Sequence, residues 1–253
     1  MPDRRATYLH ELTQPDAERA FAETRTALVV VGSVEQHGPH LPLGTDAVAA
    51  LAVAERVSAR TGAPILLLSL VGVAPYHAPW PGSLTLRPST LTALLVDACT
   101  GLAAAGAHRV LVVNWHEGNT PTLRIAADEA QRAAGVRVLL AETHVIANML
   151  FPDEMELTHA GAMETAAVLA WDEQLVRLDR IDGGTDFERG TAGHELFRRR
   201  DVIPIMRDFH EVAASGWYGH PGAIERERAA EILDAVAEHV VARAEEAWTA
   251  LGS

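Results

Sequence analysis

Glu35 and His37 stand two residues apart, and Asp46 follows nine residues after the histidine. The run before them, Ala27-Leu28-Val29-Val30-Val31, is apolar and β-branched and reads as a buried strand. In an extended segment, residues i and i+2 point the same way, so Glu35 and His37 can face one point. The Pro/Gly-rich stretch from Gly38 to Gly44 can turn the chain and return Asp46 to that point. Three ligand-type side chains at the carboxyl end of a strand suggest a metal site in an α/β protein.

Two later segments carry the same chemistry. Val110 to Val113 reads as another strand and runs into Asn114-Trp115-His116. His116 therefore lies just past a strand's carboxyl end and is a better ligand candidate than His108, which precedes the strand. Farther on, His159 and Glu164 stand five apart at the start of an apolar segment. Glu164 is surrounded by Ala160, Ala162, Met163, Ala166, Ala167, Val168 and Leu169. Burying a carboxylate in such company is costly unless a metal or a cationic group pairs with it.

The elements that must position these residues alternate along the chain. Strands are expected at Leu28 to Val31, Pro64 to Leu70, Val110 to Val113 and Val136 to Leu140. Helices are expected at Asp46 to Ala59, from Pro88 to about Ala105 with Gly106 as a C-cap, and at Thr120 to Ala134 ending at Gly135. Such alternation implies βαβ units and a parallel sheet. After Ala141 the pattern changes. Thr143 to Leu157 reads as a loop or short-helix excursion, and Gly161 to Trp171 as a buried helix. Ile181 to His220 has no readable pattern. Ile224 to Ala250 is a long amphipathic helix, with Ile232, Val236, Val240 and Ala244 spaced by four. No repeat or linker divides residues 1–253, so one domain is expected.

Composition removes several function classes. The chain has 253 residues, 48% of them hydrophobic, which suits a sizeable core. The formal net charge of −13 argues against general binding to nucleic acid or to an anionic membrane. Arg198, Arg199 and Arg200 form a short basic run, read as a solvated face or an oligomer contact. No stretch reaches the roughly 18 apolar residues that a bilayer span needs. No signal peptide is visible, and Cys99 is the only cysteine. A cytoplasmic protein is the expectation. Ser33 and Ser83 lie in no G-x-S-x-G elbow, and no G-x-G-x-x-G follows a strand.

Glu35-Gln36-His37-Gly38-Pro39-His40-Leu41-Pro42-Leu43-Gly44-Thr45-Asp46 closely resembles the first metal-binding motif of the creatininase (creatinine amidohydrolase) family. Asn114-Trp115-His116-Glu117-Gly118-Asn119 resembles the family's N-G-H-G-G-N type motif. His159-Ala160-Gly161-Ala162-Met163-Glu164-Thr165 resembles its H-A-G-x-x-E-T motif. The resemblance implies a three-layer α/β/α fold with a mainly parallel central sheet. It also implies that Glu35, His37, Asp46, His116 and Glu164 bind two divalent metals per subunit. Asp46 would bridge them, with Glu35 and His116 on one ion and His37 and Glu164 on the other. Two imidazoles and three carboxylates suit Zn²⁺ first, with Mn²⁺ or Fe²⁺ as alternatives, and do not suit Cu(I).

The chain departs from the family pattern at Trp115, where glycine is usual, and at Glu117. Creatininase itself carries a metal-binding Glu two places after the motif's histidine, where this chain has Gly118. Trp115 could wall a substrate pocket or belong to the core, and Glu117 could contact substrate or a basic residue of a neighbouring subunit. Tyr76-His77-Ala78-Pro79-Trp80-Pro81-Gly82-Ser83 resembles the family's F-P-G-T region, which makes His77 and Trp80 pocket candidates. The segment from Ser215 to Pro221 resembles a later G-x-x-G-x-P loop and adds Trp217, Tyr218 and His220.

By resemblance, a hydroxide held between the metals would attack an amide carbonyl. His159, with an ordinary pKa of ~6.5, would protonate the departing nitrogen as catalytic acid. The expected substrate is a small cyclic amide or lactam. Formamide deformylases and precursor-peptide peptidases of the same family are the alternatives, and a non-catalytic metal-binding scaffold is the competing class. Family members also imply a homo-oligomer, expected here as a homohexamer.

Overall fold

The computed structural model describes residues 5–181, 201–202, 204–222 and 224–252. Its centre is β1, Thr26–Val31, whose six residues are all buried. Along it, side chains alternate between two apolar clusters. Leu28 and Val30 point into one, and Ala27, Val29 and Val31 into the other. A strand buried on both faces is the signature of a covered parallel sheet.

The sheet holds β1, β2 (Ile65–Ser69), β3 (Arg109–Asn114) and β4 (Arg137–Glu142) in the order β2-β1-β3-β4, all parallel. On the Leu28 face lie α2 (Thr45–Thr61), α6 (Ala162–Trp171) and α7 (Arg226–Ala250). The α7 stripe is Ile232, Leu233, Val236, Ala237, Val240, Ala244 and Trp248, a spacing of three or four that keeps one face inward. On the other face lie α3 (Pro88–Ala104) and α4 (Thr120–Ala134), through Leu91, Leu95, Cys99 and Leu102 and through Leu123, Ala126 and Ala130. Phe21 of α1 (Gln14–Thr24) joins that face. Each buried Leu or Val contributes roughly 1.5–3 kcal/mol of transfer free energy, so the two clusters hold the layers together. The expected three-layer α/β/α fold is the one observed.

Strand order explains where a site belongs. The chain leaves β1 for β2 on one side and then crosses to β3 on the other. The carboxyl ends of β1 and β3 therefore flank the point where connections diverge and leave a crevice.

The expected elements stand with shifted ends. The second strand begins at Ile65, after Pro64, whose carbonyl accepts from the Leu28 amide. The helix from Thr120 stops at Gly135 in the left-handed region (φ 69°), as a C-cap glycine should. The excursion after β4 contains a helix, α5 (Thr143–Leu150). Sequence periodicity missed α1, which opens with Thr13 at its N-cap position and a proline in the first turn. The run Arg198 to Arg200 lies outside the described residues. No helix among the described residues is long and apolar enough to cross a membrane.

Candidate metal centre and active site

Gly32 follows β1 and makes the crevice narrow. A Cβ there would sit 2.4 Å from the Ala47 Cα, so only glycine lets the strand end approach the start of α2 this closely. That approach puts Asp46, in the first turn of α2, next to the Glu35 loop. Glu164 likewise occupies the first turn of α6. Both carboxylates thus stand at the positive end of a helix dipole. Behind His116, the carboxamides of Asn114 and Asn119 hold the loops in place. Asn119 binds the Val73 amide (2.8 Å), the Gly32 carbonyl (3.0 Å) and Asn114 Oδ1 (3.1 Å). Asn114 Nδ2 donates to the His116 carbonyl (2.8 Å) and to Glu142 (2.7 Å).

Five side chains converge and are buried: Glu35, His37, Asp46, His116 and Glu164. His37 Nδ1 meets the Glu35 carbonyl at 3.1 Å, and His116 Nε2 meets the Val73 carbonyl at 3.2 Å. A carbonyl only accepts, so each of these nitrogens carries the hydrogen. The opposite nitrogen of each ring then offers its lone pair to the cluster. His116 Nδ1 faces Glu35 Oε2 at 3.3 Å and Asp46 Oδ2 at 3.2 Å. His37 Nε2 faces Asp46 Oδ1 and Glu164 Oε2, each at 3.7 Å. Lone pairs aimed at carboxylates repel unless a cation or a proton stands between them.

In the metal-free protein, protons take that place. Burial opposes charge on His116, but Glu35 and Asp46 overcome it and raise the ring to about 9. Burial acts against His37 too, and Asp46 and Glu164 nonetheless lift it well above the ordinary histidine range. Burial pushes the Glu35 carboxyl up to about 7, with His116 pulling against it and Asp46 adding to it. Burial also works against the Asp46 carboxylate, yet His37 and His116 hold it well below the usual range.

The residues fit divalent cations. His37 Nε2 and Asp46 Oδ2 are buried and make no hydrogen bond. Glu35, Asp46 and His116 place one donor atom each within 4.8 Å of one another, and so do His37, Asp46 and Glu164. Nitrogen and oxygen donors in these numbers suit zinc or manganese. Supporting contacts orient the donors, as outer partners of metal ligands do. Ser33 Oγ donates to Glu35 Oε2 (2.6 Å), and the Ala160 amide donates to Glu164.

His159 lies beside this cluster, its ring 4.5 Å from that of His37. Burial, reinforced by His37 and His77, holds its pKa well below the ordinary value. His77 is buried next to it and is pushed down to about 3, mostly by burial. Over these two rings sits Phe209, with centroids 4.6 Å from His77 and 4.9 Å from His159. Trp80 stacks on His210 (3.9 Å, 14°), and Tyr218 packs on Phe209.

The other sequence candidates lie farther out. Trp217 packs on His40 and beside Leu41 and Ala160. Glu117 is exposed. Trp115 is 2% exposed and belongs to the apolar core with α2, α6 and α7, so the structure gives it the core place rather than a pocket wall.

Sequence reasoning passed over Gln36, His40, His144 and Phe209. Gln36 and His40 lay inside the first motif and could have been read from it. His144 follows β4 directly, where the strand-end rule points. Phe209 had no signal, because its segment shows no periodicity.

Fold and site together define a doubly wound α/β protein with a histidine–carboxylate cluster at its switch point that fits metal ions. The family model for creatininase, creatinine amidohydrolase, matches residues 10–244. The chain is 28% identical over 251 residues to a creatinine amidohydrolase of Pseudomonas putida, covering 91% of this chain and 93% of that protein. It is 32% identical over 190 residues to a mycofactocin precursor peptide peptidase of Mycobacterium ulcerans (strain Agy99), covering 72% of each. Two solved structures superpose on it. One is described as a mutant creatininase of Zn-Zn type (27% identity, TM-score 0.77, 95% and 98% covered), and one as creatininase Mn (26%, 0.75, 94% and 97%). The chain belongs to the creatininase family and is a metal-dependent amidohydrolase.

Proposed function

We propose that this protein hydrolyses a small amide, with a cyclic amide or lactam as the first choice, at a site holding two divalent ions. Glu35, His116 and Asp46 would hold one ion, and His37, Glu164 and Asp46 the other. Zinc is the first choice and manganese or iron(II) the alternative. The observation that carries this reading is the pair of imidazole lone pairs, each aimed at the shared carboxylate of Asp46 and at a second acid. When bound, the ions supply activation of water and polarisation of a carbonyl oxygen.

The chain's own residues do the rest. Water forms a C–O bond to the amide carbon, the C–N bond breaks, and the water's proton must reach the departing nitrogen. His159, kept neutral by burial, takes that proton and then returns it to nitrogen as acid. Phe209, Trp80 and Tyr218 provide an apolar, aromatic border that keeps bulk water away.

A second reading has a specific support. The matched segment of the peptidase relatives is somewhat more similar to this chain than creatinine amidohydrolase is, which favours the end of a short peptide as the alternative substrate. A homohexamer is supported by exposed Ile125, Val145 and Met149, and a cytoplasmic location by the lone, buried Cys99.

The test is elemental analysis of protein purified without chelator, followed by a panel of lactams, formamides and short peptides. About two ions per chain and turnover of a lactam are expected. Metal without turnover of any panel member would instead favour a binding scaffold.

A further inference from the structure

The carboxamide of Gln36 touches four separate segments of the chain. Its Oε1 accepts from the Gly38 amide (3.1 Å), and its Nε2 donates to the Gly216 carbonyl. A backbone amide can only donate and a carbonyl can only accept, so these two contacts fix which end of the carboxamide is nitrogen. The same Nε2 lies 2.9 Å from His77 Nδ1 and 2.9 Å from His159 Nε2. An amide nitrogen has two hydrogens, and Gly216 uses one. Only one of the two imidazoles can receive the other.

Counting acceptors decides between them. His159 Nε2 is also 2.8 Å from the Gln36 backbone carbonyl. If the second hydrogen goes to His77, then His159 Nε2 carries its own hydrogen to that carbonyl, and every acceptor has a donor; the Gln36 and His159 nitrogens are then neighbours that do not bond to each other. If it goes to His159, both the carbonyl and His77 Nδ1 lose a partner in a buried place, which is the costlier arrangement. The first arrangement prevails. His77 then holds its hydrogen on Nε2, which faces Glu35 Oε1 at 3.4 Å. His159 holds its hydrogen on Nε2, so its Nδ1 has the lone pair.

We propose that Gln36 is a positioning residue that sets the tautomers of both histidines: it turns an Nε2–H of His77 onto the metal-site carboxylate Glu35 and leaves Nδ1 of His159 as the atom that carries the proton. The proposal rests on the hydrolase reading above only for the second clause. His77 becomes an orienting partner of Glu35 in place of the substrate contact expected from sequence. The Gly216 contact ties the aromatic segment from Phe209 to Tyr218 to the same carboxamide.

The test is a two-bond ¹H–¹⁵N correlation spectrum of zinc-loaded protein with ¹⁵N-labelled histidine. His77→Asn and His159→Asn spectra identify the two rings. Both rings should show the Nε2–H tautomer. Gln36→Met removes both donors and should leave His77 in mixed tautomers. Gln36→Glu puts an acceptor at the same place and should draw hydrogen onto His77 Nδ1. Both variants should keep their zinc and lose about 10–100-fold in kcat with little change in KM, as outer-shell substitutions do. An Nδ1–H tautomer of His77 in the unmutated protein overturns the proposal, and so do tautomers unmoved in both variants. Failure of the hydrolase reading would be seen separately, as an unmutated protein that shows these tautomers and turns over nothing.

Discussion

His116 Nδ1 stands 3.2 Å from Asp46 Oδ2, while the other oxygen of Asp46 faces His37 Nε2 at 3.7 Å. One carboxylate therefore serves both imidazoles. Asp46→Ala should lose most of the bound metal together with activity. Glu164→Ala should lose about one ion and keep the other. Elemental analysis of the two variants checks this, and full metal content in Asp46→Ala would remove it from the bridging role.

His159→Ala should separate chemistry from metal binding. A positioned general acid–base contributes roughly 10²–10⁴-fold to rate, so kcat should fall within that range with zinc content unchanged. Turnover near that of the unmutated protein would take His159 out of the proton path.

Gly118 has no room for a side chain. A Cβ there would lie 2.4 Å from His116 Nε2 and 2.6 Å from the Val73 carbonyl, the two atoms whose hydrogen bond orients the ring. Gly118→Ala should weaken metal binding by about 10–100-fold through the displaced His116. A zinc competition titration reads this directly.

Metal-free protein should lose stability as the solution turns alkaline. Glu35 is raised from 4.5 to about 7 and His116 from 6.5 to about 9. A group whose folded pKa is raised stabilises below its unfolded pKa and loses that contribution as pH rises through the folded one. Both groups thus act in the same direction between about pH 5 and 9. Asp46, His77 and His159, all held low, act in the opposite direction, the histidines up to about pH 7 and Asp46 only in acid, and leave the alkaline side to the raised groups. Melting curves of chelator-treated protein at pH 6 and pH 9 should show a lower Tm at pH 9. Zinc takes the place of the protons, so the zinc-loaded Tm should change less.

Trp115→Ala tests the core placement. Truncating a buried tryptophan costs about 3–5 kcal/mol, which a denaturant titration resolves. A folded variant with unchanged stability and altered substrate range would restore the pocket role.

Much of the fold was legible because strands buried on both faces leave unbroken apolar runs, as at Leu28 to Val31, and because Gly135 marks its helix end without ambiguity. The ligand candidates were legible because strand ends and motifs coincide at Glu35, His37 and His116. What sequence could not supply was distance. Trp115 sits beside His116 in the chain, but alternation along the strand end turns it to the opposite side, into the core. Phe209 lies fifty residues beyond His159 and reaches it only through a segment that has no period to read. The tautomers depend on Gly38 and Gly216, two backbone groups that carry no side-chain signal at all.

Ala160 has a left-handed backbone (φ 57°), which costs a non-glycine residue roughly 1–2 kcal/mol. Its amide is held by Glu164 and its carbonyl by His40, and the carbonyl just before it, on His159, takes the Tyr218 amide. His159, Glu164 and the aromatic border at Tyr218 are therefore linked through one residue. Substitutions that move the border to admit a different substrate would swing His159 against Glu164 as well. Divergence toward new substrates in this scaffold is then a problem of gearing: the aromatic border and the His159 ring cannot be moved independently unless this joint is loosened first.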